Sequence, residues 1–526
     1  MMEFKRHFSR QDLEKLFDEG FTLPGEFMFG VANAGFQVEG GYNGPGEPLN
    51  NWVTWERSDK VERSGEAVRF WSDHAAHVGM ASSIGLNGFR MGIEWARVQP
   101  TATTKCCTVP PFDRKAIERY AEILAAVMRA GMEPVVTLHH FTHPYWLGLD
   151  MWLDNRKLEF FAAYVEEVTR SVNTLLVEAH GLRPVQYYVT LNEPNGLAPI
   201  AHLVGYMPHY KSGYHRTLLA ASNMMDAHCR AYDTVHRVHT ENGWADPMVT
   251  YNTIHFSTYA LDKLWTDLLN ARRNGVERRD LAGYLAEGRK AWDAEIAKCP
   301  VLWRPPWLNR QIERIATRLS ERILDPDTLK EGVDAIYASP EPGKLDYLAV
   351  DYYDPFISHL LQPPSLKDLK EKRFNLNQEL WEQVLNPAAL YHFLKAETIN
   401  GEGLPLFILE NGMCYRVKDG VAERRYDGAT MDVFLQSYLY EVMRALKDGL
   451  PLKGYFWWTL ADNYEWGSYE PRFGLHAVDR TTSPVEILDR DAGGVDAARA
   501  FGDIIAALRS GDRGRMVEAF LKDHWR

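Results

Sequence analysis

Short apolar runs alternate along the chain with longer segments in which apolar residues return every three or four positions. Runs of the first kind are typical of buried strands, and segments of the second kind are typical of helices that bury one face. This alternation predicts βα units and a parallel sheet. Eight strands are predicted, at residues 27–32, 88–93, 134–139, 186–191, 248–254, 345–352, 406–409 and 454–460.

The segment RKAIERYAEILAAVMRAG, residues 114–131, illustrates the helical pattern. Its apolar residues fall on one face, at Ile117, Tyr120, Ile123, Leu124 and Val127. Gly131 then ends the segment, as glycine commonly ends a helix. Eight such units predict an α/β fold, a closed (β/α)8 TIM barrel with the helices outside, in which catalytic groups lie at the C-terminal ends of the strands.

The 526 residues of the chain fit one barrel with additions. We expect a single (β/α)8 domain over residues 1–526 with elaborated βα loops. A helical lead-in is expected over about residues 1–25, and a helical tail over about residues 505–526. A long segment with the patch PVLWRPPWL, residues 300–308, separates the fifth and sixth strands. This separation predicts an insertion of helices and loops.

Composition favours a globular protein with a small, neutral substrate. Hydrophobic residues make up 45% of the chain and charged residues 25%, which is the balance of a protein with a large core. The formal charge of −12 disfavours nucleic-acid phosphates and anionic membranes as partners. No run of about eighteen apolar residues is present to span a membrane. Aromatic residues make up 12% of the chain, and their flat rings could stack on the faces of sugars. Composition does not decide the oligomeric state.

Cysteine usage favours a reducing compartment. The five cysteines are an odd number without a CxxC pair, and the adjacent Cys106 and Cys107 make a poor disulfide. The first twenty residues lack the uninterrupted apolar stretch of a signal peptide. We therefore expect reduced thiols and a cytoplasmic protein.

Two predicted strands end in a glutamate. Glu193 follows an apolar run in YYVTLNEPNG, Glu410 follows another in PLFILENG, and each lies beside an asparagine. Either residue alone is more often a solvated loop residue or a helix cap, but an ionised carboxylate beside a buried strand needs a partner. The fourth and seventh strands of a barrel lie across its mouth, so both carboxyls can enter one cavity. Such a pair suits glycoside hydrolysis.

In this order and at this separation, TLNEP and LENG resemble the two signatures of the family 1 glycoside hydrolases, the β-glucosidase family. The segments FMFGVANAGFQVEGG, GFRMGIEWARVQP and TLHHFTHPYWL resemble the first three strands of that family with their loops. GYFWWTLADNYEWGSYEPRFGLHAVD resembles its eighth strand and the loop that follows. The resemblance extends over residues 27–479.

The resemblance implies a cofactor-free, retaining β-glycosidase that acts on β-D-glucosides and tolerates β-galactosides or β-fucosides. It implies that Glu193 is the general acid/base and Glu410 the nucleophile. Arg90, expected at the end of the second strand, and Tyr353 are implied as their supporting residues. It also implies a set of residues that bind the sugar, namely Gln37, His140, Asn192, Trp458, Glu465 and Trp466. Retention of Glu465 beside Trp466 disfavours a 6-phosphoglycoside, because a carboxylate repels phosphate. The alternatives are a transglycosidase of the same family, an inactive sugar-binding protein and a metal-dependent barrel hydrolase.

No metal site is predicted. His139 and His140 would face opposite sides of a strand, and no carboxylate at ligand spacing accompanies them or His143. At three positions the chain departs from the usual family pattern. His139 stands where Tyr or Asn is usual, Phe141 where Trp is usual, and Asp351 where Asn is usual. Asp351 adds a carboxylate near Glu193 and predicts a raised pKa for one of the two by like-charge repulsion.

Overall fold

A computed structural model describes most of the chain, namely residues 3–101, 109–300, 311, 314–315, 317–319, 326–360 and 379–524. Cys106 and Cys107 lie outside the described residues, as does nearly all of the patch at residues 300–308. The frame of the molecule is one parallel sheet whose strands agree with the eight predicted runs.

The parallel sheet contains nine strands in the described part of the chain. They are β1 (Met28–Ala32), β2 (Gly88–Gly92), β3 (Glu133–Thr137), β4 (Tyr187–Val189), β5 (Met248–Thr250), β6 (Thr253–Ile254), β7 (Leu348–Tyr352), β8 (Leu406–Asn411) and β11 (Leu452–Trp458). Two small antiparallel sheets accompany it. The first contains β9 (Tyr415–Lys418), β10 (Val421–Glu423) and β12 (Pro471–Arg472), and the second contains β13 (Val478–Asp479) and β14 (Glu486–Ile487).

The sheet closes into a barrel at one predicted strand, which is interrupted in the middle and supplies both edges of the sheet. Its strand order is β5, β4, β3, β2, β1, β11, β8, β7, β6, so its two edges are β5 and β6. These edges are successive pieces of the predicted strand 248–254, because β5 pairs with β4 and β6 pairs with β7. Nine strands therefore occupy eight positions of a closed ring, which confirms the predicted (β/α)8 fold. The interruption at Tyr251 and Asn252 is a difference from the prediction.

Helices surround the barrel. The long ones are Phe70–Ser83, Arg114–Arg129, Leu158–Glu178, Tyr214–Glu241, Leu281–Ile296, Lys330–Ala338, Pro387–Glu397, Met431–Lys447 and Ala497–Ser510. The shorter ones are Arg10–Leu16, Gly35–Val38, Val53–Arg57, Trp95–Val98, Pro194–Pro199, Tyr259–Asp262, Leu264–Ala271, Ile357–Leu360 and Arg513–Ala519. Single turns lie at Tyr145–Leu147, Met151–Leu153, Asn155–Lys157, Ile200–Val204, Arg278–Asp280, Pro326–Thr328 and Leu380–Glu382. No helix in the described residues has the length and apolar character needed to cross a lipid bilayer.

The helix predicted from residue 114 begins where an acidic side chain caps it. Asp113 accepts hydrogen bonds from the backbone amides of Lys115 and Ala116, at 2.9 and 3.2 Å. This cap satisfies amides that have no partner within the helix. Asp496 likewise accepts a hydrogen bond from the backbone amide of Arg499. The C-terminal helical segment therefore begins at Ala497, before the predicted residue 505.

Strand residues alternate between two packing environments. Phe29 and Val31 of β1 pack with the surrounding helices, whereas Met28 and Ala32 pack inside the barrel with Phe456. This period of two is the geometry of a strand, and it gives the barrel a filled interior. The side chains at the C-terminal end of that interior are polar and form the site described below.

Glycines leave the space that the Phe456 ring occupies in the barrel interior. A Cβ atom on Gly30 would lie 2.4 Å from that ring and 2.8 Å from the carbonyl oxygen of Gly88. We predict that Gly30→Ala lowers the free energy of unfolding by about 1–3 kcal/mol through overpacking. Urea unfolding followed by circular dichroism measures the change.

Gly79→Ala is the matched control, because Gly79 lies within the helix Phe70–Ser83 and its added Cβ would meet nothing within 4 Å. Helix propensity predicts a gain of about 0.5–1 kcal/mol for that variant. Equal effects of the two substitutions would contradict the packing argument.

Candidate active site

The ten predicted site residues converge at the C-terminal mouth of the barrel. Hydrogen bonds and ring contacts connect Gln37, Glu465, Trp458, His140, Asn192, Arg90, Glu410 and Tyr353 into one chain of neighbours. Trp466 stacks on His140, with ring centroids 5.7 Å apart. The remaining residue, Glu193, has a carboxylate oxygen within 4.8 Å of one on Glu410. The structure therefore brings together residues that the sequence spreads over more than four hundred positions.

A bulge in β8 turns Glu410 into the mouth. Ile408 packs toward the helices and Leu409 toward the barrel interior, so strict alternation would direct Glu410 outward. However, Val350 of β7 pairs with Ile408 and the next residue, Asp351, pairs with Glu410. Leu409 is thus an extra residue in β8, and such a bulge re-aims the side chain that follows it.

Both oxygens of the buried Glu410 carboxylate have donors. Arg90 donates from Nη1 to Oε1 at 2.6 Å, and the Tyr353 hydroxyl donates to Oε2 at 2.9 Å. Burial raises the pKa of Glu410 above its usual value, while the charge of Arg90 and the bond from Tyr353 act in the opposite direction. These two contacts favour the ionised form of a carboxylate that burial alone would neutralise.

Arg90 is the centre of a wider network. It is fully buried and lies in the middle of β2, not at the end of the strand as the sequence suggests. Its side chain also donates to Oγ1 of Thr137 at 3.0 Å and to Oδ1 of Asn192 at 2.6 Å. A long side chain that starts in mid-strand thereby reaches the mouth of the barrel.

Glu193 has a different environment from Glu410. It is buried at the start of the helix Pro194–Pro199, with its backbone in the left-handed region at φ 41°. Burial, and then the negative charge of Glu410, raise the pKa of Glu193 to about 8. Glu193 therefore holds a proton at neutral pH while Glu410 lies against a cation.

The spacing of the two carboxyls bears on the chemistry. Oxygens of Glu193 and Glu410 lie within 4.8 Å of one another. Carboxyl groups about 5–5.5 Å apart are typical of retaining glycosidases, whereas inverting enzymes need about 6.5–9.5 Å to admit a water molecule. The arrangement suits direct attack by one carboxylate on a carbon held between the two groups.

The opposite wall of the pocket offers groups that fit sugar hydroxyls. Glu465 accepts from Nε2 of Gln37 at 3.1 Å and from Nε1 of Trp458 at 2.8 Å. Oε1 of Gln37 and Nδ1 of His140 are buried and hydrogen-bond to no described protein atom. Unpaired buried polar atoms cost free energy, so a ligand with hydroxyl groups would stabilise this wall.

The histidines after β3 have separate surroundings. His140 stacks with the indole of Trp458 and with that of Trp466, and burial lowers its pKa well below the usual value, so it is neutral. His139 instead packs against Trp152, with ring centroids 5.0 Å apart. The strand ends at Thr137, so both histidines lie beyond it; the prediction that residues 134–139 are all strand is wrong here.

Two further residues of the site carry more weight than the sequence indicated. Asn252, at the interruption between β5 and β6, donates to Oδ1 of Asn192 at 2.8 Å and also to Asp351. The signal that sequence reasoning missed is a polar residue inside an otherwise regular strand. Phe141 packs on Trp466, with ring centroids 5.0 Å apart, and supports the pocket wall.

Comparisons with known proteins show which family the sequence matches. Residues 20–272 and 325–494 match the model of Glycosyl hydrolase family 1. The chain is 25% identical to beta-glucosidase A of Thermotoga maritima, over 88% of this chain and 94% of that protein. It is 26% identical to a 6-phospho-beta-galactosidase of Staphylococcus aureus, over 88% of this chain and 95% of that protein.

Solved structures show the same architecture. The beta-glycosidase from Pyrococcus horikoshii superimposes with a TM-score of 0.63 at 23% identity, over 95% of this chain and 99% of that one. At this level of identity, the likeness supports the closed-barrel fold and does not by itself assign a function. Because the family model matches well over half of the residues, the chain belongs to glycosyl hydrolase family 1 and is a glycoside hydrolase.

Proposed function

We propose that this protein hydrolyses β-D-glucosides with retention of configuration, through a covalent glycosyl-enzyme. The observation that carries the proposal is a pair of carboxyls in unlike environments, with oxygens that lie within 4.8 Å of each other. Glu410 lies against the Arg90 guanidinium, and Glu193 has its pKa raised to about 8. One group is therefore prepared to attack and the other to donate a proton.

In the first step, the Glu410 carboxylate attacks the anomeric carbon while Glu193 donates its proton to the glycosidic oxygen. The bond to the leaving group breaks, an alcohol departs, and the sugar is left as an ester of Glu410. In the second step, Glu193 takes a proton from water, and the water oxygen displaces Glu410. Arg90 and Tyr353 hold the nucleophile at both oxygens and stabilise it as it leaves.

The pocket wall supports an unphosphorylated sugar as substrate. Gln37 offers its unpaired amide oxygen beside the Glu465 carboxylate, so the two residues can accept hydrogen bonds from neighbouring hydroxyls, and the Trp458 indole offers a flat face for the C–H surface of a ring. Burial raises the pKa of Glu465 to about 7, so this carboxyl ionises near neutral pH. An ionised Glu465 would repel a sugar phosphate. We extend the proposal to β-galactosides and β-fucosides as slower substrates.

We also propose that the chain works as one (β/α)8 domain without a cofactor in the cytoplasm. The location is supported by Cys229, Cys299 and Cys414, which are free and buried. Burial raises the pKa of the Cys229 thiol above its usual value, which makes it unreactive.

A panel of aryl β-D-glucosides, β-D-galactosides, β-D-fucosides and 6-phospho-β-D-glucosides tests the proposed specificity. We expect the highest kcat/KM for the glucoside, and proton NMR of the first product formed should show the β-anomer. An α-anomer would contradict the retaining mechanism. A higher kcat/KM for the phosphorylated glucoside would contradict the proposed substrate, and binding without turnover would mark a sugar-binding protein.

Glu410→Ala should lower kcat for every glycoside by about 10⁴-fold or more, because the variant lacks the carboxylate that forms the ester. Azide should restore cleavage of an aryl glucoside and give the α-glucosyl azide, since the anion attacks from the side that Glu410 occupied. Glu402→Ala, at an exposed glutamate shortly before β8, is the control and should retain full activity. Turnover by Glu410→Ala at the wild-type rate would overturn the assignment of Glu410 as the nucleophile.

Glu193→Ala should affect substrates according to their leaving groups. Formation of the glycosyl-enzyme from 2,4-dinitrophenyl β-glucoside should change little, because this leaving group needs no proton. Cleavage of an alkyl β-glucoside should fall by about 10²–10⁴-fold, the usual contribution of a general acid. Stopped-flow burst kinetics measure the first substrate and steady-state kinetics the second. Equal losses on the two substrates would argue against the acid role.

A further inference from the structure

We infer that Asp351 is a positioning residue that shares a proton with Glu193 and thereby keeps the general acid protonated to higher pH. This inference rests on the proposed function. It concerns a residue that stands where the family pattern usually has asparagine, and it changes how many protons the active site holds.

The position of Asp351 follows from the strand geometry. Inward-facing residues of β7 alternate, so Ala349 lies in the barrel interior and Asp351 lies directly above it. The side chain is fully buried, and Oδ2 accepts a hydrogen bond from the Asn252 amide. Oδ1 lies 3.8 Å from Nη1 of Arg90 and has no hydrogen-bond partner among the described protein atoms. Asp351 is thus part of the mouth and not of the apolar core.

Three carboxyls surround one guanidinium. Oxygens of Glu193, Asp351 and Glu410 all lie within 4.8 Å of one another, and Arg90 already makes its short contact with Glu410. Ionised carboxylates only accept hydrogen bonds, so two of them in contact repel each other unless one carries a proton. Oxygens of Glu193 and Asp351 lie within 4.8 Å of each other, and Oδ1 of Asp351 has no described hydrogen-bond partner, so a proton held between the two groups would remove their repulsion.

The other titratable groups around the pair do not compensate for its charge. The groups that face it from the neighbouring elements are Arg90 of β2, His140 after β3, His255 after β6, Tyr347 and Tyr353 at the ends of β7, Glu410 of β8 and Glu465 after β11. Burial keeps both histidines neutral by lowering their pKa and keeps both tyrosines neutral by raising theirs. Arg90 is the single cation in this set of described residues.

Loss of the shared proton would leave three carboxylates against that one cation. With asparagine at position 351, the same loss would leave only two. The last proton is therefore harder to remove from the natural site than from one with an amide. An amide would also donate a hydrogen bond to ionised Glu193, which favours loss of the proton further. Burial, and then the charge of Glu410, raise the pKa of both Asp351 and Glu193 above their usual values, so at least one of these two carboxyls keeps a proton at neutral pH.

The proton that the pair holds goes to the leaving group during the reaction. Before attack, Glu410 is ionised and the pair Glu193–Asp351 carries one negative charge and one proton. During attack, the proton goes to the leaving oxygen and Glu410 becomes a neutral ester, so both members of the pair are ionised. The three carboxyls have a total charge of minus two before and after. Ionised Asp351 then makes Glu193 a stronger base toward water in the second step.

The test is the pH dependence of kcat/KM for an alkyl β-glucoside in the wild type and in Asp351→Asn, a substitution of nearly equal volume. We expect the alkaline limb of the wild type near pH 8 and that of Asp351→Asn lower by about one pH unit or more. The acid limb should move less, since Glu410 keeps its contacts with Arg90 and Tyr353. Limbs that superimpose, or an alkaline limb that moves upward, would overturn the inference.

A double-mutant comparison separates proton sharing from a structural effect. In the Glu193→Gln background, Asp351→Asn should leave the pH profile for 2,4-dinitrophenyl β-glucoside unchanged, because no shared proton remains. A shift of equal size in that background would assign the effect to structure and reject the pair. Carbon NMR of wild-type enzyme with labelled glutamate side chains gives a readout that needs no Asp351 variant. The Glu193 signal should titrate in two steps, and a single step would reject the pair.

Failure of this inference is distinguishable from failure of the proposed function. If the profiles superimpose while Glu410→Ala remains inactive and is rescued by azide, the retaining mechanism stands and only the role of Asp351 falls. If Glu410→Ala keeps wild-type activity, the proposed function falls first.

Discussion

The contact between Arg90 and Glu410 is the constraint on which the rest of the site depends. A buried carboxylate and a buried guanidinium each lose much hydration free energy, and only close, well-directed contact compensates for that loss. The two residues lie 320 positions apart in the chain and come from β2 and β8. The contact therefore forms only when the barrel is closed with the correct register, and the bulge in β8 is part of that register. Catalytic geometry and fold geometry are here the same requirement.

Around this pair, the protein gives chemically similar groups unlike properties. Glu410 meets a cation and a phenol, Glu193 meets chiefly other carboxyls, and Glu465 meets an amide and an indole. Each environment selects a different protonation state near neutral pH. The barrel achieves this by delivering the three side chains from different strands to one mouth, where small differences in neighbours act at short range in a medium of low polarity.

Much of the barrel was predictable because strand and helix periods are local properties of the sequence. The eight apolar runs correspond to strand positions, and two of them led to Glu193 and Glu410. The exact strand ends differ, because β4 ends at Val189 and β8 continues to Asn411. The bulge at Leu409 was not predictable, since it depends on how β7 pairs with β8. The roles of Asn252 and Asp351 were also hidden in part, because hydrogen bonds across the mouth join residues that no local pattern relates. The sequence predicted Arg90 at a strand end, whereas it lies in the middle of β2 and its long side chain reaches Glu410 at the mouth.

The seam of the barrel has a consequence for biosynthesis. The first and last strands of the sheet, β1 and β11, pair with each other, and this pairing brings Gln37, after β1, against Glu465, after β11. An incompletely assembled chain accordingly lacks this contact and the ordered cavity beside it. The proposed sugar-binding wall is therefore complete only once the last strand has been added beside the first.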